Sequence, residues 1–233
     1  MNVTIPRPRA VLFDLFDTLV PAIAPGQAFP PTWEDLGIPI DAYQKRWFQN
    51  HDGRATGRIK DPVEVIRIVA HDIDPSISMA AIERAVERRV RSFESVLTRV
   101  DAATVAALES LRGWGIKVAL VSNACVGEID AWPRSPFAPH FDAAVFSCEV
   151  GMVKPDPGIY EAALARVGVE ADDAIFVGDG GSEEHRGARS LGMRTALITG
   201  LVHARWAHAM EERRKHVDWE FEHVPAFVAA LAP

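Results

Sequence analysis

The feature that most constrains this chain is a series of short, almost wholly apolar runs, each of strand length. They lie at 10–16 (AVLFDLF), 116–121 (IKVALV), 143–146 (AAVF), 174–177 (AIFV) and 195–198 (TALI). Strands buried on both faces read this way, because helices cover both sides of a parallel sheet. Helical segments at 101–112, 156–167 and 183–191 alternate with the last four runs. Short apolar strands alternating with helices predict the α/β class, with a parallel-sheet, Rossmann-like core. Near the end, 217–221 (VDWEF) reads as a short strand before a final helix, and 205–215 reads as helical.

The alternation breaks between the first run and the second. From Pro21 to about Val100 there is no strand-like run. Pro21, Pro25, Pro30 and Pro31 make the exit from the first strand irregular. Asp61-Pro62 opens a helix through Ala70, with proline suited to the first turn. In 79–97, Ile82, Val86, Val90, Phe93 and Leu97 recur at spacings of three and four, the period of a helix with one apolar face. The expected organisation is an α/β core of residues 1–20 and 101–233, with an α-helical subdomain, 21–100, inserted into it.

Composition narrows the function classes. The net charge of −7 argues against a nucleic-acid or membrane-surface partner, because neither phosphate backbones nor anionic lipids attract an acidic protein. A small phosphorylated substrate needs only a local positive site. No run approaches the ~18 apolar residues of a membrane span, and the acids in the first apolar run do not suit a signal peptide. A cytoplasmic location is the default expectation. Cys125 and Cys148 sit in or beside apolar stretches, without metal-ligand spacing, and read as two reduced, buried thiols.

Four segments carry the candidate chemistry, each after a predicted strand. In VLFDLFDTLV, Asp14 closes an apolar strand. A carboxylate there is costly unless a cation or hydrogen bonds compensate it, and ligands of open α/β sheets sit beyond the carboxyl ends of strands. Asp14 is thus a candidate nucleophile or metal ligand. In KVALVSNA, the Ser122 hydroxyl and the backbone N–H groups that follow are placed to hold an anion, with Asn123 as a further substrate-binding candidate. In GMVKPDPGIYEAAL, Lys154 sits in a proline-rich turn, where its charge can neutralise a carboxylate–phosphate pair. In AIFVGDGGSEEHRGARSLGM, Asp179 ends a strand, and Glu183 and Glu184 open the next helix. Clustered carboxylates at a strand end suit Mg²⁺, which takes one or two of them plus waters and substrate phosphate.

Together, in this order, FDLFDTL, LVSNA, the lysine of GMVKPDP and FVGDGGSEEHRGA resemble the haloacid dehalogenase superfamily of hydrolases, over essentially the whole chain. The helical insertion at 21–100 is similar to the cap that members carry after the first motif. The resemblance implies that Asp14 is the nucleophile and forms a covalent aspartyl intermediate. It implies that Ser122 binds the transferring phosphoryl group and that Lys154 holds Asp14 and the phosphoryl oxygens. Mg²⁺ would be bound by Asp14, the backbone carbonyl of Phe16 and Asp179, with Glu183 or Glu184 acting directly or through water. The cap would choose the substrate. Arg46, His51, Arg54, Arg58 and Lys60 are its candidate anion contacts, and Arg54 and Arg58 are the two singled out for the substrate. Trp33 and Trp47 are expected in its core.

One position departs from the pattern. Phosphatases of the superfamily carry a second aspartate two residues after the nucleophile, as the acid for the leaving group. Here that position is Phe16, and the carboxylate comes one residue later, at Asp17. Neighbours on an extended chain point in opposite directions, so Asp17 does not inherit that reach automatically. An aromatic at this position is similar to the superfamily's dehalogenases, which use no metal. Asp179 and its neighbouring glutamates are similar to the phosphatases. The expected function is a Mg²⁺-dependent hydrolase, a phosphatase acting on a small phosphorylated metabolite. The alternatives are a 2-haloacid dehalogenase-like hydrolase and a weakly active relative serving as a binding or regulatory protein.

Overall fold

The computed structural model describes residues 5–22, 32–49, 51–202 and 204–231. Pro25, Pro30, Pro31 and the His51 side chain fall outside the described residues. The strands are β1 (Ala10–Phe13), β2 (Lys117–Ser122), β3 (Ala143–Phe146), β4 (Ala174–Gly178), β5 (Arg194–Ile198) and β6 (Trp219–Phe221). Between β1 and β2 run α1 (Thr32–Leu36), α2 (Ile40–Gln49), α3 (His51–Ala55), α4 (Pro62–Ile73) and α5 (Met79–Thr98), followed by α6 (Ala102–Gly113). After β3 come α7 (Ser147–Val150) and α8 (Pro157–Val167), after β4 comes α9 (Glu184–Ser190), and α10 (Met210–Arg213) and α11 (Val224–Ala230) flank β6.

All six strands pair in parallel, in the order β3-β2-β1-β4-β5-β6. The fold is α/β and Rossmann-like, as the alternation predicts. Every residue of β1 is buried, because helices cover both faces of the sheet. Val11 and Phe13 face the cluster covered by α6 and α11, whereas Ala10 and Leu12 face the one covered by α8 and α9. Leu108 and Phe227 are fully buried in the first cluster, each contributing about 1.5–3 kcal/mol. From β1 the chain runs outward to β2 and β3, then returns to β4 on the other side. That reversal opens a crevice at the carboxyl ends of β1 and β4.

The helices before β2 have an apolar cluster of their own, including Trp33, Tyr43, Trp47, Ile66, Val69 and Ile82. Asp61 and Ser78 cap α4 and α5 with side-chain oxygens, and Pro62 occupies the first turn of α4. The stripe on α5 divides. Ile82 and Val86 belong to the helical cluster, with Val90 half-buried against it, whereas Phe93 and Leu97 join the cluster on the sheet. One long helix therefore ties the helical segment to the core.

Three local expectations are corrected. The first strand ends at Phe13, because Asp14 N–H makes its last ladder bond (to Val177 O, 2.9 Å) and the chain then folds back through Leu19 and Val20 N–H bonds to Leu15 O. Residues 205–215 are not one helix. A 3₁₀ turn over Ala204–Ala209 leads into α10, and a second follows over Arg214–His216, since the segment has no continuous apolar stripe to bury. Cys148 is half-buried rather than buried, although both thiols are free. Burial pushes Cys125 up to about 12 and Cys148 to about 11, so neither is a reactive thiolate near neutral pH.

Candidate active site

Each segment singled out from the sequence delivers a side chain to the crevice or braces one that lies there. Asp14 leaves the end of β1, 5% exposed, with Oδ2 accepting from the Thr18 hydroxyl at 3.1 Å and Oδ1 from Lys154 Nζ at 2.5 Å. Lys154 also donates to Glu184 Oε2 at 2.6 Å, so one ammonium bridges two buried carboxylates. Glu184 Oε1 accepts the Gly180 N–H at 2.8 Å, and Asp179 Oδ1 accepts the Gly181 N–H at 2.9 Å. Carboxylate oxygens of Asp14, Asp179 and Glu184 lie within 4.8 Å of one another.

Close packing fixes this arrangement. Gly187 lets α9 approach the turn before α8, where a Cβ would fall 2.7 Å from Pro155 O and 2.8 Å from the Tyr160 hydroxyl. Tyr160 in turn donates to Glu184 O at 2.9 Å. Asn123 uses its amide on the Lys154 backbone, accepting from the Lys154 N–H at 2.8 Å and donating to the Lys154 carbonyl at 3.2 Å. Its side chain therefore braces Lys154. Ser122 is fully buried at the end of β2, and its hydroxyl has no partner among the described residues. A buried hydroxyl without a partner is costly unless a ligand supplies one.

The acids outnumber the bases, and burial acts on them accordingly. Burial pushes the Asp14 carboxyl up against the pull of Lys154, and the charge of Asp179 adds to the push. Glu184 is raised well above the usual range for the same reasons. Burial alone would lower Lys154, but Asp14 and Glu184 more than offset it and keep it charged. Three clustered acids, two sharing Lys154 and the third paired with Arg213, offer a hard divalent cation the right donor type and one more negative charge than the two resident cations balance. Glu184, not Glu183, faces the cluster, since Glu183 is paired at the surface with Arg186.

Asp17 sits in the left-handed region (φ 61°), and this kink breaks the simple alternation of an extended chain. Its carboxyl accepts the Ala22 N–H at 2.9 Å. Burial raises it to about 7, helped by the charges of Asp179 and Asp14 and opposed by Arg213. Phe16 turns its ring onto Phe93 of α5, with centroids 5.3 Å apart.

The basic residues of the helical segment divide. Arg54 is buried, donating to Trp47 O at 2.7 Å and Cys125 Sγ at 3.1 Å, its guanidinium 3.8 Å above the Trp47 ring. Arg89 covers the same ring at 4.4 Å and pairs with buried Glu128. Arg46 pairs with Asp72. Arg58 and Lys60 are exposed. Trp33 and Trp47 lie in the core of the segment, as expected. A cavity of about 920 Å³ is lined by Thr18, Arg99 and His223 among others, and its lining touches the carboxylate cluster through Thr18, which donates to Asp14.

Sequence reasoning missed Arg213. It donates to the Asp179 carbonyl at 2.8 Å and pairs with the Asp179 carboxylate. In the run EERRKH it reads as one more solvated charge, and the signal in the strand-end motif was Gly180, over which its stem passes.

A model of haloacid dehalogenase-like hydrolases matches residues 8–192. The chain belongs to that family. It is 28% identical over 206 residues to a glyceraldehyde 3-phosphate phosphatase from Methanopyrus kandleri, covering 82% of this chain and 83% of the relative. Among solved structures it is similar to a 2-haloacid dehalogenase from Pseudomonas syringae pv. Tomato DC3000, with a TM-score of 0.67 and 21% identity, covering 97% of this chain and 98% of that one. It is also similar to a family enzyme from Bacteroides thetaiotaomicron in complex with magnesium and inorganic phosphate, with a TM-score of 0.63 and 19% identity over 88% of this chain and 98% of that one. No described helix is long and apolar enough to cross a membrane.

Proposed function

We propose that this family member is a Mg²⁺-dependent phosphatase of small phosphorylated metabolites, with Asp14 as its nucleophile. The observation that carries the reading is the buried cluster of Asp14, Asp179 and Glu184, with Lys154 bridging Asp14 and Glu184, together with a buried Ser122 hydroxyl at the end of the neighbouring strand that has no partner among the described residues. The likeness to a phosphatase over most of both chains supports it. Asp14, the Phe16 backbone carbonyl, Asp179 and Glu184 would hold the metal. When bound, Mg²⁺ supplies positive charge that keeps the carboxyls ionised and offsets charge on the phosphoryl oxygens.

The chain's own groups then divide the work. An Asp14 oxygen attacks phosphorus, the bond to the leaving oxygen breaks, and an aspartyl-phosphate forms. Lys154 neutralises Asp14 and a phosphoryl oxygen, while Ser122 donates a hydrogen bond to another. Asp17 gives its proton to the leaving oxygen. The resulting carboxylate takes a proton from the water that attacks phosphorus, releasing phosphate and restoring Asp14. The helices α1–α5 act as the cap over this crevice, with Arg58 as its exposed basic contact for substrate.

A second reading, metal-independent dehalogenation, is favoured by Phe16 alone, since halide leaves without a proton. A panel of phosphorylated metabolites and 2-haloacids, each with Mg²⁺ and with EDTA, tests both. Phosphate release abolished by EDTA is the expected result. Halide release in EDTA with no phosphate release would replace the first reading with the second.

A further inference from the structure

Resting on that reading, we propose that Arg213 is a resident counter-cation of the metal cleft, sharing Asp179 with the divalent ion and weakening its hold. Three observations support this. The Arg213 guanidinium is 10% exposed and contacts both the carboxylate and the carbonyl of Asp179, whose side chain is 9% exposed. Asp179 is one of the three acids that gather in the cleft, and the other two already share Lys154. The approach is built into the backbone as well. Gly180 is left-handed (φ +82°), and a Cβ there would fall 2.8 Å from Arg213 Cβ and 3.0 Å from its Cγ. The arginine stem therefore crosses the motif directly over a glycine.

The consequence is electrostatic. Asp14, Asp179 and Glu184 bring three potential negative charges, and Lys154 and Arg213 bring two fixed positive ones. An arginine does not lose its proton in a protein, so its charge repels an incoming cation at every working pH. Arg213 reaches Asp179 from outside the strand-end motif, and both of its bonds to Asp179 are made through Nη1. The guanidinium holds the Asp179 carboxylate in place while lowering the net negative charge offered to the metal.

The test is Mg²⁺ titration by isothermal calorimetry on the full chain, for wild type, Arg213→Gln and Arg213→Lys, with Mg²⁺-dependent melting shifts as a second readout. The proposal predicts at least tenfold tighter binding in Arg213→Gln, with Arg213→Lys within about threefold of wild type because the charge remains. Both variants binding as wild type does would overturn the proposal and leave the Mg²⁺ reading standing. Equal weakening in both would also overturn it, making Arg213 a structural support for Asp179. Absence of binding in all three would remove the Mg²⁺ reading together with the proposal. Arg213→Gln folding poorly is answered by the same titration on Arg213→Met, whose side chain keeps the packing over Gly180 without the charge and is expected to bind as tightly as Arg213→Gln.

Discussion

Gly178→Ala is the smallest change that reaches the centre of the site. A Cβ on Gly178 falls 2.1 Å from Glu184 Oε1, 2.7 Å from its Cδ and 3.0 Å from a Phe176 ring carbon. Ordinary contact begins at 3.4 Å, so the carboxylate has to retreat by more than an ångström. It has little room to do so. Glu184 is 1% exposed, held by Gly180 N–H on one oxygen and Lys154 on the other. The Phe176 ring is itself packed edge-on against Tyr160 and His185. Losing the charge-assisted bond to Gly180 costs roughly 1.5–3 kcal/mol. Overpacking at the strand end costs a further ~1–3 kcal/mol. The expected loss is about 2.5–6 kcal/mol, read as a lower urea midpoint at unchanged slope, with Mg²⁺ affinity at least tenfold weaker. Gly113→Ala is the control, because a Cβ there meets nothing within 4 Å and replaces glycine in a helix. It should leave stability equal or raise it by up to ~1 kcal/mol. A Gly178→Ala protein within ~1 kcal/mol of wild type that binds Mg²⁺ normally would refute the reasoning that this glycine seats Glu184.

Two other perturbations follow from the same geometry. His185 is 2% exposed, and burial lowers it to about 4 despite its contact with Ala196 O. Its folded value lies below its unfolded one, so the neutral form is the stable one. Its contribution is present above about pH 6.5 and is lost as pH falls toward 4, amounting to about 2 kcal/mol between pH 7 and pH 5. Urea midpoints at the two pH values should therefore diverge more in wild type than in His185→Gln, and equal divergence would contradict this. Asp17→Asn should slow sugar phosphates by ~10²-fold or more and nitrophenyl phosphate far less, because only the poorer leaving group needs a proton; equal slowing would make Asp17 structural.

The sheet was legible because β1, β3 and β4 are apolar along their whole length and β2 and β5 are apolar apart from their ends, and the strand order then places Asp14 and Asp179 on neighbouring ends. The stripe on α5 was legible through its spacing, although spacing alone did not separate the residues that pack in the helical cluster from Phe93 and Leu97, which pack on the sheet. Asp14, Ser122, Lys154 and Asp179 were readable because each sits where an apolar run stops or a rigid turn begins. The choice between Glu183 and Glu184 was not, since it depends on the left-handed φ of Ser182 and Glu183, which sets where α9 starts. The kink at Asp17 was hidden for a similar reason, because no local pattern announces the positive φ of that aspartate. The role of the Asn123 amide and the arrival of Arg213 depend on contacts across long stretches of chain, which local pattern does not carry.

The central claim is that Asp14 is the nucleophile. The most direct measurement is acid quenching of the enzyme during turnover of a phosphorylated substrate, followed by peptide mass spectrometry. The account predicts a phosphoryl group on the peptide containing Asp14, mapped to Asp14 itself and lost in Asp14→Asn together with activity. Turnover that persists in Asp14→Asn, or a phosphoryl group mapped to another residue, would contradict it.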